Sequence, residues 1–236
     1  MAAIVTALAD LVLGARCAGC GLPALGLCPE CRAVLGALRP RRVTRPLDGF
    51  PGTVAAGEYA DQLRQVLLSA KQRGGLTHLP LLGRLTARAV AALVLAADPP
   101  LPLVLVPVPT VASRVRGRGL DLTAALAVRA AGELSWRGLA AQARPLVRLA
   151  RTPADQIGLD RQQRVANPAG AYRCRAAPER GSVVVIDDVV TTGATLLAVA
   201  GALRTAGADP AGAATVAETT RRGDQKAPAS VTEPVG

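Results

Sequence analysis

Branched apolar residues gather in runs of strand length at four points of the chain: TVAAGEY (53–59), LVLVPVP (103–109), SVVVID (182–187) and AGAATVAE (211–218). Runs this continuous, without polar alternation, suit strands buried on both faces, as in parallel sheets covered by helices. Helical patterns fill the intervals. Residues 60–75 place Leu63, Val66 and Leu67 on one face and close on Gly74 and Gly75; residues 79–96 stop before Asp98-Pro99-Pro100; residues 120–137 follow, and 193–207 end on Gly207. PLVRL (145–149) adds a short strand. Strands alternating with helices predict an open, mainly parallel α/β sheet.

A chain of 236 residues can bury a full core, as one large domain or as one domain with an appendage. Phe50, Tyr59, Trp136 and Tyr172 are its only aromatic residues, so the core must be aliphatic and binding must work largely without stacking. The net charge is +11, carried mainly by arginine, and it is uneven. Nine arginines stand between Arg137 and Arg180 against Asp155, Asp160 and Glu179, and RPRRVTR (39–45) adds four more. Such blocks suit a polyanion, or else a solvated arginine-rich surface. AVAALVLAA is too short to span a bilayer, and LPLVLVPVPTVA is interrupted by prolines. The N-terminal stretch lacks a basic start and carries Asp10, which favours a short amphipathic helix over a secretion signal. A cytoplasmic protein without membrane insertion is expected, in which disulfides are disfavoured.

Four of the five cysteines fall in CAGCGLPALGLCPEC: Cys17, Cys20, Cys28 and Cys31, two C-x-x-C hooks seven residues apart. Two such hooks can close a tetrahedral four-thiolate zinc site, which leaves no open position and is therefore structural. Two redox pairs are the alternative, which a reducing compartment disfavours. The expected organisation is a helix and zinc knuckle over 1–38, a linker over 39–52, an α/β domain over 53–218 and a disordered tail over 219–236.

VVVIDDVVTTGAT (183–195) carries the chemistry. Ligands of open α/β sheets sit outside the carboxyl ends of the strands, where Asp187 and Asp188 are expected. Carboxylates there can accept hydrogen bonds from vicinal hydroxyls or help to hold a hydrated divalent cation. Thr191, Thr192, Gly193, Ala194 and Thr195 then open a helix, whose free N–H groups, hydroxyls and dipole make a phosphate cradle. Acids for a sugar, one turn from a cup for a phosphate, suit a ribose 5-phosphate. The same residues could also serve merely as a strand terminator and a helix cap.

The stretch resembles the signature of type I phosphoribosyltransferases. The resemblance implies that Asp187 and Asp188 contact the ribose hydroxyls of phosphoribosyl pyrophosphate (PRPP), with Mg2+ bridging the pyrophosphate, and that residues 191–195 enclose the 5-phosphate. Over residues 17–218 the chain is similar to the ComF family of competence-related, phosphoribosyltransferase-like proteins. The four-cysteine knuckle, LVPVP followed by SRVRGRG, RTPADQIGLDRQQRVANPAGAY and the final signature occur in that order. By this likeness Pro107, Val108, Pro109, Arg114, Arg116 and Arg118 are candidates for pyrophosphate contact. Arg151, Arg161 and Arg164, with Gln156 and Asn167, stand where phosphoribosyltransferases carry a mobile active-site loop. Lys71 and Arg73 are weaker phosphate candidates. The family commonly continues its Arg-Gly with Phe-Asn-Gln, whereas Leu120-Asp121-Leu122 stands here, putting a negative charge where an amide would be neutral.

Two functions follow from the likeness. One is an enzyme passing phosphoribosyl to a nitrogen nucleophile, its acceptor unspecified by the sequence. The other is a non-catalytic factor in DNA uptake, with single-stranded DNA and a competence helicase as partners. So few aromatics suit a phosphate-driven, salt-dependent DNA contact rather than a stacking platform. The sequence does not fix the oligomeric state.

Overall fold

A computed structural model describes residues 15–45, 48–72, 75–110, 119–150, 171–178 and 180–220. The N-terminal helix, Arg73, the segment with Arg114, Arg116 and Arg118, the loop with Arg151, Gln156, Arg161, Arg164 and Asn167, and the tail from 221 lie outside these residues.

Six strands form one sheet in the order β1-β2-β8-β7-β3-β4: β1 (Arg41–Val43), β2 (Thr53–Glu58), β8 (Gly212–Glu218), β7 (Ser182–Val190), β3 (Leu103–Pro107) and β4 (Ala141–Ala143). All pairs are parallel except β1 with β2. The helices are α1 (Pro29–Gly36), α2 (Asp61–Ala70), α3 (Leu79–Ala97), α4 (Leu122–Trp136) and α5 (Ala194–Thr205). The mixed α/β fold with a mostly parallel sheet is as the sequence predicts.

Successive strand residues face opposite sides of a sheet, so each apolar run feeds two cores. Leu103, Leu105, Val184, Ile186, Ala214 and Val216 pack on one side against α2, α3 and α4 through Leu67, Leu82, Leu85 and Leu126. Val104, Val106, Val183, Val185 and Ala213 pack on the other against Leu196, Val199 and Leu203 of α5. The strands' Leu and Ile lie on the face covered by three helices, beside Val184, Val216 and Ala214; the face covered by one takes mostly Val. Residues 76–97 have the length and mean hydropathy, 1.6, of a membrane span. Leu82, Leu85, Val90 and Leu93 of this stretch are buried in the first core, which makes it a core helix. Its apolar run exceeds AVAALVLAA because Pro80 sits in the first turn, where a helix loses no hydrogen bond.

Three departures from expectation are local. The segment read as a linker contains β1, which pairs Arg41–Val43 antiparallel with Ala55–Thr53. The strand in PLVRL does not join the main sheet: β5 (Val147–Leu149) pairs antiparallel with β6 (Tyr172–Cys174) as a separate ribbon. Ala141–Ala143 takes the place beside β3 instead, and its ladder ends where Arg144 donates to the Leu105 carbonyl, just before Pro145, which has no N–H to continue it.

The topology fixes the crevice. β3 leads to α4 on one face, and its neighbour β7 leads to α5 on the other. The chain therefore diverges at the carboxyl ends of β3 and β7, the switch point where open α/β sheets bind ligands.

Candidate functional site

β3 stops at Pro107, opposite Ile186, with one last hydrogen bond from Val108 N to the Ile186 carbonyl (2.9 Å). On its other side β7 keeps pairing with β8, Asp187 against Thr215 and Val190 against Glu218. Asp187 and Asp188 thus ride on a stretch of strand supported from one side and open on the other. Pro107 ends β3, and Val108 and Pro109 follow directly on it beside that opening.

Adjacent strand residues point to opposite faces, so the two acids meet different surroundings. Asp187 is 9% exposed and accepts a hydrogen bond from Asp188 N (2.8 Å). Burial, then the charge of Asp188, pushes its carboxyl up to about 8, while Lys71 acts in the opposite direction. Tyr172 of β6 feels this group: burial first, then the Asp187 charge, raises its phenol. On the other face Asp188 Oδ2 lies 2.7 Å from Lys71 Nζ, delivered by the residue that caps the C-terminus of α2. Lys71, a weak candidate from sequence, is therefore in the site, bound to an acid.

Thr191 and Thr192 are exposed and lead into Gly193, the N-cap of α5, at φ 88°. Thr192 Oγ1 accepts from Ala194 N (3.3 Å), and Leu197 N is bonded to the Gly193 carbonyl (3.0 Å). The N–H groups of Thr195 and Leu196 are of the kind a helix start leaves for an anion. Gly193 has a second constraint beside its positive φ. A Cβ there would stand 2.7 Å from Phe50 Cε2 and 3.2 Å from Arg45 Cγ.

Arg45 is the residue that sequence reasoning misplaced. Within RPRRVTR it reads as part of a basic block for a polyanion. Its side chain is 6% exposed, and it donates from Nε to the Thr191 carbonyl (2.7 Å), from Nη1 to Thr44 O (2.8 Å) and from Nη2 to Thr219 O (3.0 Å). Its charge meets Glu218 Oε2 at 3.4 Å, while Arg41 Nε holds Glu218 Oε1 at 2.7 Å. Two arginines of the block thus neutralise one buried acid at the end of β8. No local pattern signals a pairing across 173 residues.

Asp121 is the N-cap of α4, and its Oδ1 accepts from Thr123 Oγ1 (2.8 Å), Thr110 Oγ1 (3.0 Å) and Ala124 N (3.2 Å). Asp121 is thus occupied in fastening α4 to the end of the proline-rich segment.

In the knuckle, the sulfur atoms of Cys17, Cys20, Cys28 and Cys31 all lie within 4.8 Å of one another. Cys20 and Cys28 are 3.7 Å apart, close to the roughly 3.8 Å edge of a tetrahedron with zinc–sulfur bonds of about 2.3 Å. Burial opposes ionisation of Cys17, but N–H groups of Cys28, Cys20 and Gly19 outweigh it and bring the thiol down to about 6. Burial, then the neighbouring thiols, pushes Cys31 well up. Four such sulfurs cannot all ionise without a cation among them, so this donor set fits Zn2+. A side chain at Gly19 would sit 2.8 Å from Cys31 Sγ, which keeps that turn bare.

Two clefts among the described residues, of about 520 and 440 Å³, lie elsewhere, at the start of β2 and between the knuckle and the start of α3. Neither brings acids together with a helix N-terminus, as the β3–β7 crevice does. A family model described as "Phosphoribosyl transferase domain" matches residues 154–233, a span that includes both acids and the whole of 191–195. No curated protein matches the chain. Fold and match together give a phosphoribosyltransferase-like domain carrying an N-terminal four-cysteine cluster able to hold zinc.

Proposed function

We propose that the β3–β7 crevice binds PRPP or a related ribose 5-phosphate with Mg2+, and that the chain transfers phosphoribosyl to a nitrogen nucleophile. One observation carries this reading: two acids on a half-paired strand end stand directly before a helix N-terminus that opens on an obligatory glycine. Asp187 and Asp188 would accept from the ribose hydroxyls, and residues 191–195 would donate to the 5-phosphate. Mg2+, for which the two carboxylates offer hard oxygen donors, would offset the charge of the pyrophosphate. In the transfer the C1–O bond to pyrophosphate breaks, its electron pair leaves with pyrophosphate, the new C1–N bond forms and the nucleophile gives up a proton. Lys71 would lend its charge to the leaving group only by letting go of Asp188. Arg114, Arg116, Arg118, Arg151, Arg161 and Arg164 belong to this proposal as further pyrophosphate contacts, since guanidinium forks match phosphate oxygens.

Calorimetry with PRPP and Mg2+ tests the reading on the wild type and on the Asp187→Asn, Asp188→Asn double variant. Micromolar binding that weakens at least a hundredfold in the variant is expected. A wild type that binds neither PRPP nor ribose 5-phosphate would refute it.

The charge of +11 supports a second reading, a non-catalytic competence factor that binds single-stranded DNA and a partner helicase. Phosphate-driven DNA binding weakens steeply with salt. An oligonucleotide titration between low and physiological salt that shows no such slope would count against it.

A further inference from the structure

We propose that Arg45 is a positioning residue for the phosphate loop, acting on the backbone of Thr191 rather than on the ligand; this rests on the ligand reading above. Arg45 lies in the segment between β1 and β2, far in sequence from the loop it touches. Its guanidinium is saturated: Nε is bound to Thr191 O, Nη1 to Thr44 O and Glu218, and Nη2 to Thr219 O and Glu218. Buried and matched by Glu218, it has little capacity left to bind an anion itself.

What it does hold is one peptide plane. The unit linking Thr191 to Thr192 is planar and trans, so its C=O and N–H point in opposite directions. With the Thr191 carbonyl drawn 2.7 Å from Arg45 Nε, the N–H of Thr192 faces away from the arginine, toward the outside of the loop. That N–H has no protein acceptor among the described residues. The neighbouring residue is fixed from the same side, because Arg45 Cγ and the Phe50 ring occupy the space a side chain at Gly193 would need. One segment thus backs the loop with a hydrogen bond at Thr191 and with packing at Gly193. Glu218 anchors the arrangement to the end of β8, and Thr219 N, bonded to the Val190 carbonyl (3.0 Å), ties that end back to β7. The arginine is chosen over lysine by its geometry: one planar group reaches the loop carbonyl, the acid and the strand end at once.

The test compares ribose 5-phosphate, which needs the loop, with magnesium pyrophosphate, which does not. Arg45→Met should weaken ribose 5-phosphate at least tenfold and leave magnesium pyrophosphate within twofold, measured by calorimetry. In 15N-edited NMR the Thr192 and Gly193 amides should shift on adding ribose 5-phosphate to the wild type and stay in place in the variant. Arg45→Lys, which keeps the charge but cannot make all the bonds, should fold and lose threefold or more for ribose 5-phosphate alone. Unchanged ribose 5-phosphate affinity in Arg45→Met overturns the proposal and leaves the ligand reading intact. Equal weakening of both ligands, or loss of folding in both variants, also overturns it, since Arg45 would then hold the fold rather than the loop. A wild type that binds pyrophosphate but not ribose 5-phosphate overturns the ligand reading, and this proposal with it.

Discussion

Asp187 offers the most direct test of the site, because its environment ties the chemistry to the stability of the whole domain. Asp187 is 9% exposed near the carboxyl end of β7, and burial followed by the Asp188 charge raises its carboxyl to about 8. In the unfolded chain an aspartate titrates near 3.9, so between about pH 4 and 8 the folded protein holds the extra proton. The sign follows: the folded state gains from this group below about pH 4, loses ground as pH rises, and levels off above pH 8. One proton held in excess shifts stability by a factor of ten per pH unit, so the swing between pH 5 and 7 is on the order of 3 kcal/mol. For a chain of this size that is about 5–11 °C in Tm. Asp187→Asn keeps the shape and cannot ionise. Thermal or urea denaturation at pH 5, 6 and 7 should show the wild type losing stability relative to the variant by about that amount. Parallel pH profiles would refute the assignment of a buried, proton-holding carboxyl. The expected stability of the variant also sharpens the ligand test, since lost binding could not then be blamed on unfolding.

The knuckle and the cap give two further predictions. Purified protein should contain one zinc per chain by elemental analysis, and Cys31→Ser should bring this toward zero with release of the 15–38 module to proteolysis; full zinc content in the variant would show that the cluster is not the ligand set. Asp121→Ala removes an acceptor shared by Thr110, Thr123 and Ala124 and should cost about 1–2 kcal/mol in urea denaturation, whereas Asp121→Asn, which retains Oδ1, should cost less than about 0.5 kcal/mol. If Asn costs as much as Ala, the charge matters rather than the cap.

What could be read in the sequence is what local rules dictate. The doubly buried strands of LVLVPVP and SVVVID, the helices between them and the spacing of Cys17, Cys20, Cys28 and Cys31 all leave a pattern within a few residues. The run from Asp187 to Thr195 belongs to the same class, since strand end and helix start are contiguous. Ala141-Gln142-Ala143 carries no strand signal of its own; β3 makes it a strand by lying beside it. Arg41 and Arg45 look alike in a basic block, and it is Glu218, delivered by β8, that pairs with both. Lys71 is singled out by Asp188 in the same way. Polar partners brought together by topology leave no periodicity to find.

The two margins of the sheet, β1 and β4, are each three residues long. Any exposed strand edge is a template on which another extended chain can build. Here a second molecule could add at most three residues of ladder on either side. It would meet exposed Arg41 and Arg42 at one margin and exposed Arg144 and Pro145 at the other, on a chain already carrying +11. Strands such as β3 and β7, made largely of Val, Leu and Ile, would be an amyloid hazard in an open sheet. Short, cationic borders disfavour edge-to-edge growth on such strands.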